Sequence, residues 1–241
     1  MRHTLAAILT MLIVEAAAAA TITKETVNSE GRARTFYLLA PPTKGPAPLV
    51  ILLHGSGRNG KILVDHWKKL AEKEGIVLAG PDSINSRGWT FPTDGPRFLR
   101  DVVDEVKTRV PIDERRVYLF GHSAGAAFAL QISPLETTYF ASVAVHAGAI
   151  NPSEYGNLKL GERKVPFLII VGTEDPFFPL KDVRATRDAL EAAGHPVVLR
   201  EILKHNHDYY RRSASINEWA WEFLAQHALQ SPQKYVEWGN Q

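Results

Sequence analysis

Short apolar runs alternating with amphipathic stretches constrain the fold of this chain more than any other feature. The runs are Thr35–Leu39, Leu49–Leu53, Ile76–Ala79, Val117–Phe120, Ser142–Val145, Phe167–Val171 and Val197–Leu203. Most are β-branched or leucine-rich and bounded by Gly or Pro, which predicts strands buried on both faces. Between them the pattern becomes helical. Leu63, Trp67, Leu70 and Ala71 share one face, with Gly75 at a C-cap position. Phe98, Val102, Val106 and Val110 recur before Pro111, and Val183, Thr186 and Leu190 recur before Gly194. Ile216, Trp219, Ala220, Phe223 and Leu224 form the clearest stripe. Such alternation predicts an α/β chain: a mostly parallel central sheet flanked by helices on both faces.

The 241 residues, 45% hydrophobic and 22% charged, suffice for a sizeable core and are too unbiased for a disordered or fibrous chain. No repeat or low-complexity linker divides residues 21–241, which read as one domain with a polar, irregular tail over Gln230–Gln241. Residues 1–20 read differently. Arg2 and His3 precede the apolar run Leu5–Val14, and Ala16–Ala20 ends in small residues, the pattern of a secretory signal peptide. The run is too short for a membrane span. The expected location is the periplasm or the medium.

Lys and Arg number 28 against 26 Asp and Glu, a formal net charge of +2 with the signs interspersed. Such a surface has no basic track for a phosphate backbone, so nucleic acid is not an expected partner. The absence of cysteine excludes disulfides, zinc–thiolate sites, iron–sulfur clusters and a cysteine nucleophile.

Val117–Phe120 runs directly into Gly121-His122-Ser123-Ala124-Gly125 and then a helix-compatible AAFALQI. This is G-x-S-x-G in a strand–turn–helix context. The serine of such a turn projects above the strand end, and the flanking glycines let strand and helix approach closely. Ala124 would present its N–H at the helix start, where a developing oxyanion is stabilised. Without that chemistry, the segment is a small-residue turn with an ordinary serine.

A nucleophilic serine needs a base and an orienting carboxylate, in the chain order Ser, acid, His. Gly172-Thr173-Glu174-Asp175-Pro176 follows the run Phe167–Val171, and Asp175 lies further into the loop than Glu174. Lys204-His205-Asn206-His207-Asp208-Tyr209-Tyr210 follows the last run, and its residues leave His205 and His207 both open as the base. A His-x-His pair can also ligate zinc, yet no third ligand is evident, so no metal is expected. His66, His195 and His227 read as surface residues.

His54-Gly55-Ser56-Gly57-Arg58-Asn59-Gly60 satisfies G-x-G-x-x-G, with Asp82 where an acidic ribose ligand would stand. The competing reading is an oxyanion loop, with Ser56 or Gly57 supplying a second N–H beside Ala124. That reading accounts for the serine motif as well, and it leaves no cofactor to bind. Trp89, Phe91, Phe177 and Phe178 are candidates for contact with an aryl or acyl group, Trp89 and Phe177 foremost.

Taken in order, LVILLHGSG, GPD, DERRVYLFGHSAGA, VGTEDPFFP and HNHDYY resemble the α/β-hydrolases. More narrowly they are similar to secreted polyhydroxybutyrate depolymerases and feruloyl-esterase-like esterases, over about Thr35 to Leu229. The resemblance implies an α/β-hydrolase fold with Ser123 as nucleophile, Asp175 as acid and His207 as base, His205 lying behind it. It also implies a carboxylic-ester substrate, either a small molecule or a group linked to polysaccharide. The same residues would serve a peptidase or a lactonase, and the scaffold alone would serve a binding protein without catalysis.

Overall fold

The computed structural model describes residues 19–159, 161 and 163–236. Eight strands form one sheet: β1 Thr23–Ser29, β2 Arg32–Leu39, β3 Ala47–Leu53, β4 Val77–Pro81, β5 Ile112–His122, β6 Val143–His146, β7 Phe167–Gly172 and β8 Val197–Ile202. Their spatial order is β1-β2-β4-β3-β5-β6-β7-β8, with β1/β2 and β2/β4 antiparallel and every other pair parallel. Five α-helices connect them: α1 Gly60–Glu74, α2 Pro96–Lys107, α3 Ala124–Ile132, α4 Leu180–Ala192 and α5 Ser213–Leu224.

The continuous apolar strands split cleanly by parity. In β3, Ala47, Leu49, Ile51 and Leu53 face the core under α2, α3 and α4, whereas Val50 and Leu52 face the core under α1 and α5. In β5, Val117 and Leu119 take the first side, Tyr118 and Phe120 the second. Each such aliphatic or aromatic side chain stabilises the fold by about 2 kcal/mol when removed from water, so both helical layers are needed. Among the described residues, no helix is long and apolar enough to cross a membrane.

Parallel pairing brings the carboxyl ends of β3, β5, β6 and β7 to one edge. Leu53 stands opposite Gly121, and His122 opposite His146. Gly125, in the first turn of α3, packs so closely that an added Cβ would collide with the carbonyl oxygen of Leu53. Gly125→Ala is therefore expected to cost about 3 kcal/mol or more, because backbone atoms on both sides must move. Urea unfolding checks this; an unchanged midpoint would contradict the packing.

Three features differ from the sequence expectations. Strand β1 was absent from them: only Val27 and Ser29 of its seven residues are buried, so TKETVNS lacks an apolar run. It is paired through the turn at Glu30-Gly31, both with positive φ. The segment Val197–Leu203, expected to be buried on both faces, forms an edge strand in which only Ile202 is buried. His195, expected at the surface, is buried. Its Nδ1 accepts the Val165 N–H (3.0 Å) and its Nε2 donates to the Leu158 carbonyl (2.8 Å), satisfying two backbone groups that strand pairing leaves over.

The described part of the polar tail, residues 230–236, is irregular as expected, yet tied down. Gln233 N–H donates to Glu114 O (3.2 Å) and Lys234 N–H to Thr138 O (3.0 Å). Residues 1–18 of the expected signal peptide lie outside the described residues.

Candidate active site

Ser123 follows the last residue of β5 and stands at the N-cap position of α3, with φ 57° and ψ −119°. A non-glycine residue at positive φ costs on the order of 1–3 kcal/mol and persists only where the surroundings hold it. Here the Ser123 N–H donates to His146 O (3.0 Å), while its carbonyl accepts from Ala126 and Ala127 at the head of α3. Gly121 and Gly125 touch across the turn with no room for a Cβ on either. The result is a side chain standing clear of the sheet edge.

His207 lies 84 residues away in sequence, and its Nε2 is 2.9 Å from Ser123 Oγ. Its Nδ1 is 2.8 Å from Asp175 Oδ2. The other Asp175 oxygen accepts the N–H groups of Phe177 (2.9 Å) and Phe178 (3.0 Å). Burial alone would raise the Asp175 carboxyl, but the bonds from His207, Phe178 and Phe177 outweigh it and hold the group below the ordinary carboxylate range. Asp175 is buried, whereas Glu174 is exposed and makes no contact with His207. Its N–H instead donates to His205 O (2.9 Å).

The imidazole of His207 is boxed by rings. Phe178 stacks on it (5.8 Å between centroids, 19°), Phe177 meets it edge-on (4.9 Å) and His122 lies 5.1 Å away. A cavity of about 360 Å³ opens above Ser123, lined by Gly55, Ser56, Arg58, Pro176, Phe177 and Asn206 among others. Phe177 is 70% exposed at its rim. Trp89 is not part of that lining. Its Nε1–H donates to His54 O (2.8 Å) and its ring stacks on Phe128, so it braces the glycine loop from beneath. Phe91 is exposed, likewise outside the lining.

The loop after β3 corrects a further expectation. Gly57 N–H donates to Ser86 O (2.7 Å), so it is spent on structure and cannot face an oxyanion. Ser56 lines the cavity with Ser123 and retains the role of candidate donor beside Ala124. The dinucleotide reading also loses its acid. Asp82 Oδ1 accepts the N–H of Gly60 (2.8 Å) and so caps α1. Residue 60 must be glycine for another reason: a Cβ there would strike the carbonyl of Gly80.

The segment 83–95 that braces this loop is organised by a buried ion pair. Asp94 accepts the N–H groups of Ile84 and Thr90 (both 2.9 Å) and pairs with Arg34, whose guanidinium lies 3.6 Å over the Phe98 ring. Neither Arg34 nor Asp94 stood out in the sequence, because the pair spans 60 positions.

Beneath the serine, His122 Nδ1 lies 3.1 Å from His146 Nδ1 and 3.4 Å from the His146 carbonyl. The carbonyl can only accept, which places the proton on His122 Nδ1. His205 is buried against His146 (5.5 Å between rings), so the two members of His-x-His diverge. Burial first, then the neighbouring His207, pushes the His122 pKa down to about 3. Burial likewise holds His146 well below the ordinary range.

A pH dependence follows. Both folded-state values lie below the unfolded value of about 6.5. Stability is therefore complete above about pH 6.5 and is lost as pH falls toward the folded values, where the unfolded chain alone takes up protons. Urea midpoints should fall across this window, and the slope should lessen by up to about one proton in His122→Phe. Identical slopes for variant and wild type would contradict this.

The model of the alpha/beta hydrolase family matches residues 50–239. This chain belongs to the alpha/beta hydrolase family. As such a hydrolase it is 30% identical, over 153 residues, to a bifunctional acetylxylan esterase/xylanase of Neocallimastix patriciarum. The match takes in 61% of this chain and only 22% of that relative. Among solved structures, the hydrolase is similar to an S-formylglutathione hydrolase from Agrobacterium tumefaciens (TM-score 0.68, 19% identity, covering 85% of this chain and 94% of that one). It is also similar to a ferulic acid esterase from Anaeromyces mucronatus (TM-score 0.65, 16% identity, covering 87% and 92%). At these identities the structures bear on the fold.

Proposed function

We propose that this hydrolase is an exported serine esterase that cleaves short-acyl or aryl carboxylic esters through an acyl-enzyme. The observation that carries the reading is the unbroken chain Ser123 Oγ, His207 and Asp175, at 2.9 and 2.8 Å, below an open cavity. In this account His207 takes the Ser123 proton as Oγ attacks the ester carbonyl, and Asp175 fixes the imidazole tautomer and offsets the charge that forms. The N–H groups of Ser56 and Ala124 meet the oxyanion. His207 then returns the proton to the departing alcohol, and water resolves the acyl-enzyme by the same route.

The acyl side of the cavity is assigned to Pro176 and Phe177, whose exposed ring suits an acetyl or an aryl group such as feruloyl. The acetylxylan esterase and ferulic acid esterase named above support ester cleavage on small or polysaccharide-linked substrates. Export rests on the residue pattern of Arg2 to Ala20.

A series of p-nitrophenyl esters from acetate to palmitate, with methyl ferulate, tests this reading. Short or aryl esters are expected to turn over fastest. Turnover confined to palmitate would overturn the substrate class, and no turnover of any ester by folded protein would overturn the esterase.

A further inference from the structure

Beside His207 a second cavity, of about 370 Å³, shares Asn206 and Asp208 as a common wall with the cavity over Ser123. Lys204, Arg211 and Arg212 line it together with Glu174, and Arg58 lines the neighbouring one. Elsewhere on the chain, Arg109, Arg184 and Arg187 each sit on a carboxylate, Arg163 holds backbone carbonyls and Arg200 lies over the Trp219 ring. Among the described residues, Arg58, Lys204, Arg211 and Arg212 have no carboxylate within ion-pair distance. Arg58 instead lies over the Tyr210 ring (5.3 Å). Across the two cavities the cations outnumber Glu174 and Asp208, and Asp208 is partly occupied by the N–H of Arg211 (3.4 Å). Arg212 also stands at the N-cap position of α5 without a side-chain capping bond, and the first turn holds no acidic residue, so the positive end of that helix adds to the field.

We propose that this second cavity binds a carboxylate carried by the ester-bearing molecule, so that the preferred substrates are esters on uronate-containing sugar chains. The inference rests on the esterase reading and names its substrate class. A guanidinium fork matches a planar carboxylate in two hydrogen bonds, and unpaired arginines hold that capacity free. The recess lies one wall away from Ser123, so the anion belongs to the molecule whose ester enters the first cavity. A nucleic acid would instead need a continuous basic track, and here acids interrupt the cations.

The test separates binding from catalysis. Full-length Ser123→Ala protein is titrated by calorimetry with an unesterified oligogalacturonide and, separately, with a neutral xylo-oligosaccharide. The acidic chain is expected to bind about tenfold more tightly, with the advantage shrinking severalfold as salt rises from about 0.05 to about 0.5 M. Arg211→Gln with Arg212→Gln, both exposed positions, is expected to remove the advantage, and Lys204→Gln to reduce it. Equal affinity for the two chains, an advantage indifferent to salt, or one that survives in the folded double variant would overturn the proposal. Wild-type turnover of the acetylated forms of both chains is measured in parallel. If the acidic chain binds as expected and no ester is cleaved, the esterase reading fails and the anion site stands.

Discussion

Replacing Ser123 by alanine is expected to lower kcat for ester hydrolysis on the order of 10⁶-fold, leaving binding of ester largely as it was. The size follows from what is lost. Without Oγ there is no acyl-enzyme, and the remaining N–H donors and cavity can only assist direct attack by water. Stability should hardly change, because among the described residues Ser123 Oγ hydrogen-bonds only to His207, and the backbone bonds that hold its φ of 57° are untouched. Steady-state rates on p-nitrophenyl acetate, with unfolding followed in parallel, check both statements. A folded variant retaining a tenth of the activity would show that another group attacks.

Asp175→Asn should cost about 10⁴-fold in kcat. The buried carboxylate does two things at once. Through Oδ1 it holds the Phe177 and Phe178 N–H groups, and through Oδ2 it holds the Nδ1 proton of His207. An amide can keep the first contact with its oxygen but presents N–H₂ to His207, which favours the tautomer with its proton on Nε2, facing Ser123. The base is then already protonated where it should accept. A loss of less than about tenfold in a folded variant would pass the orienting role to another carboxylate. Glu174 is badly placed for it, exposed and directed into the neighbouring cavity.

The parts of this site legible in the sequence are those whose chemistry is local. Gly121, Ser123 and Gly125 sit within one turn, and the strain, the glycines and the helix start all follow from residue types at fixed spacing. Asp175 was readable for a similar reason, as an acid just past the end of an apolar run. The parts that were not legible depend on contacts between distant segments. Gly57 looked like an oxyanion donor until Ser86, from another loop, claimed its N–H. Trp89 looked like a substrate contact, yet the carbonyl of His54 holds it under the loop. The Arg34–Asp94 pair that organises this loop left no local trace at all. The pairing of His122 with His146 had a usable signal: both end apolar runs, and adjacent parallel strands place their carboxyl ends side by side.

Strand β1 and the edge position of β8 show the same limit on the fold. A buried parallel strand declares itself by an unbroken apolar run, whereas TKETVNS buries too little to stand out. In Val197–Ile202 the half-buried Val197 and Leu199 pack on one core and the buried Ile202 on the other, while Val198, Arg200 and Glu201 are exposed, an edge pattern visible only once its strand neighbour β7 is known.

Mass spectrometry of the full chain after reaction with a fluorophosphonate ester identifies the nucleophile. One adduct is expected, mapped to the peptide carrying Ser123, formed rapidly by wild type and at least about a hundredfold more slowly by Asp175→Asn. Absence of an adduct on folded protein, or an adduct on Ser56 or Ser83 instead, would contradict it.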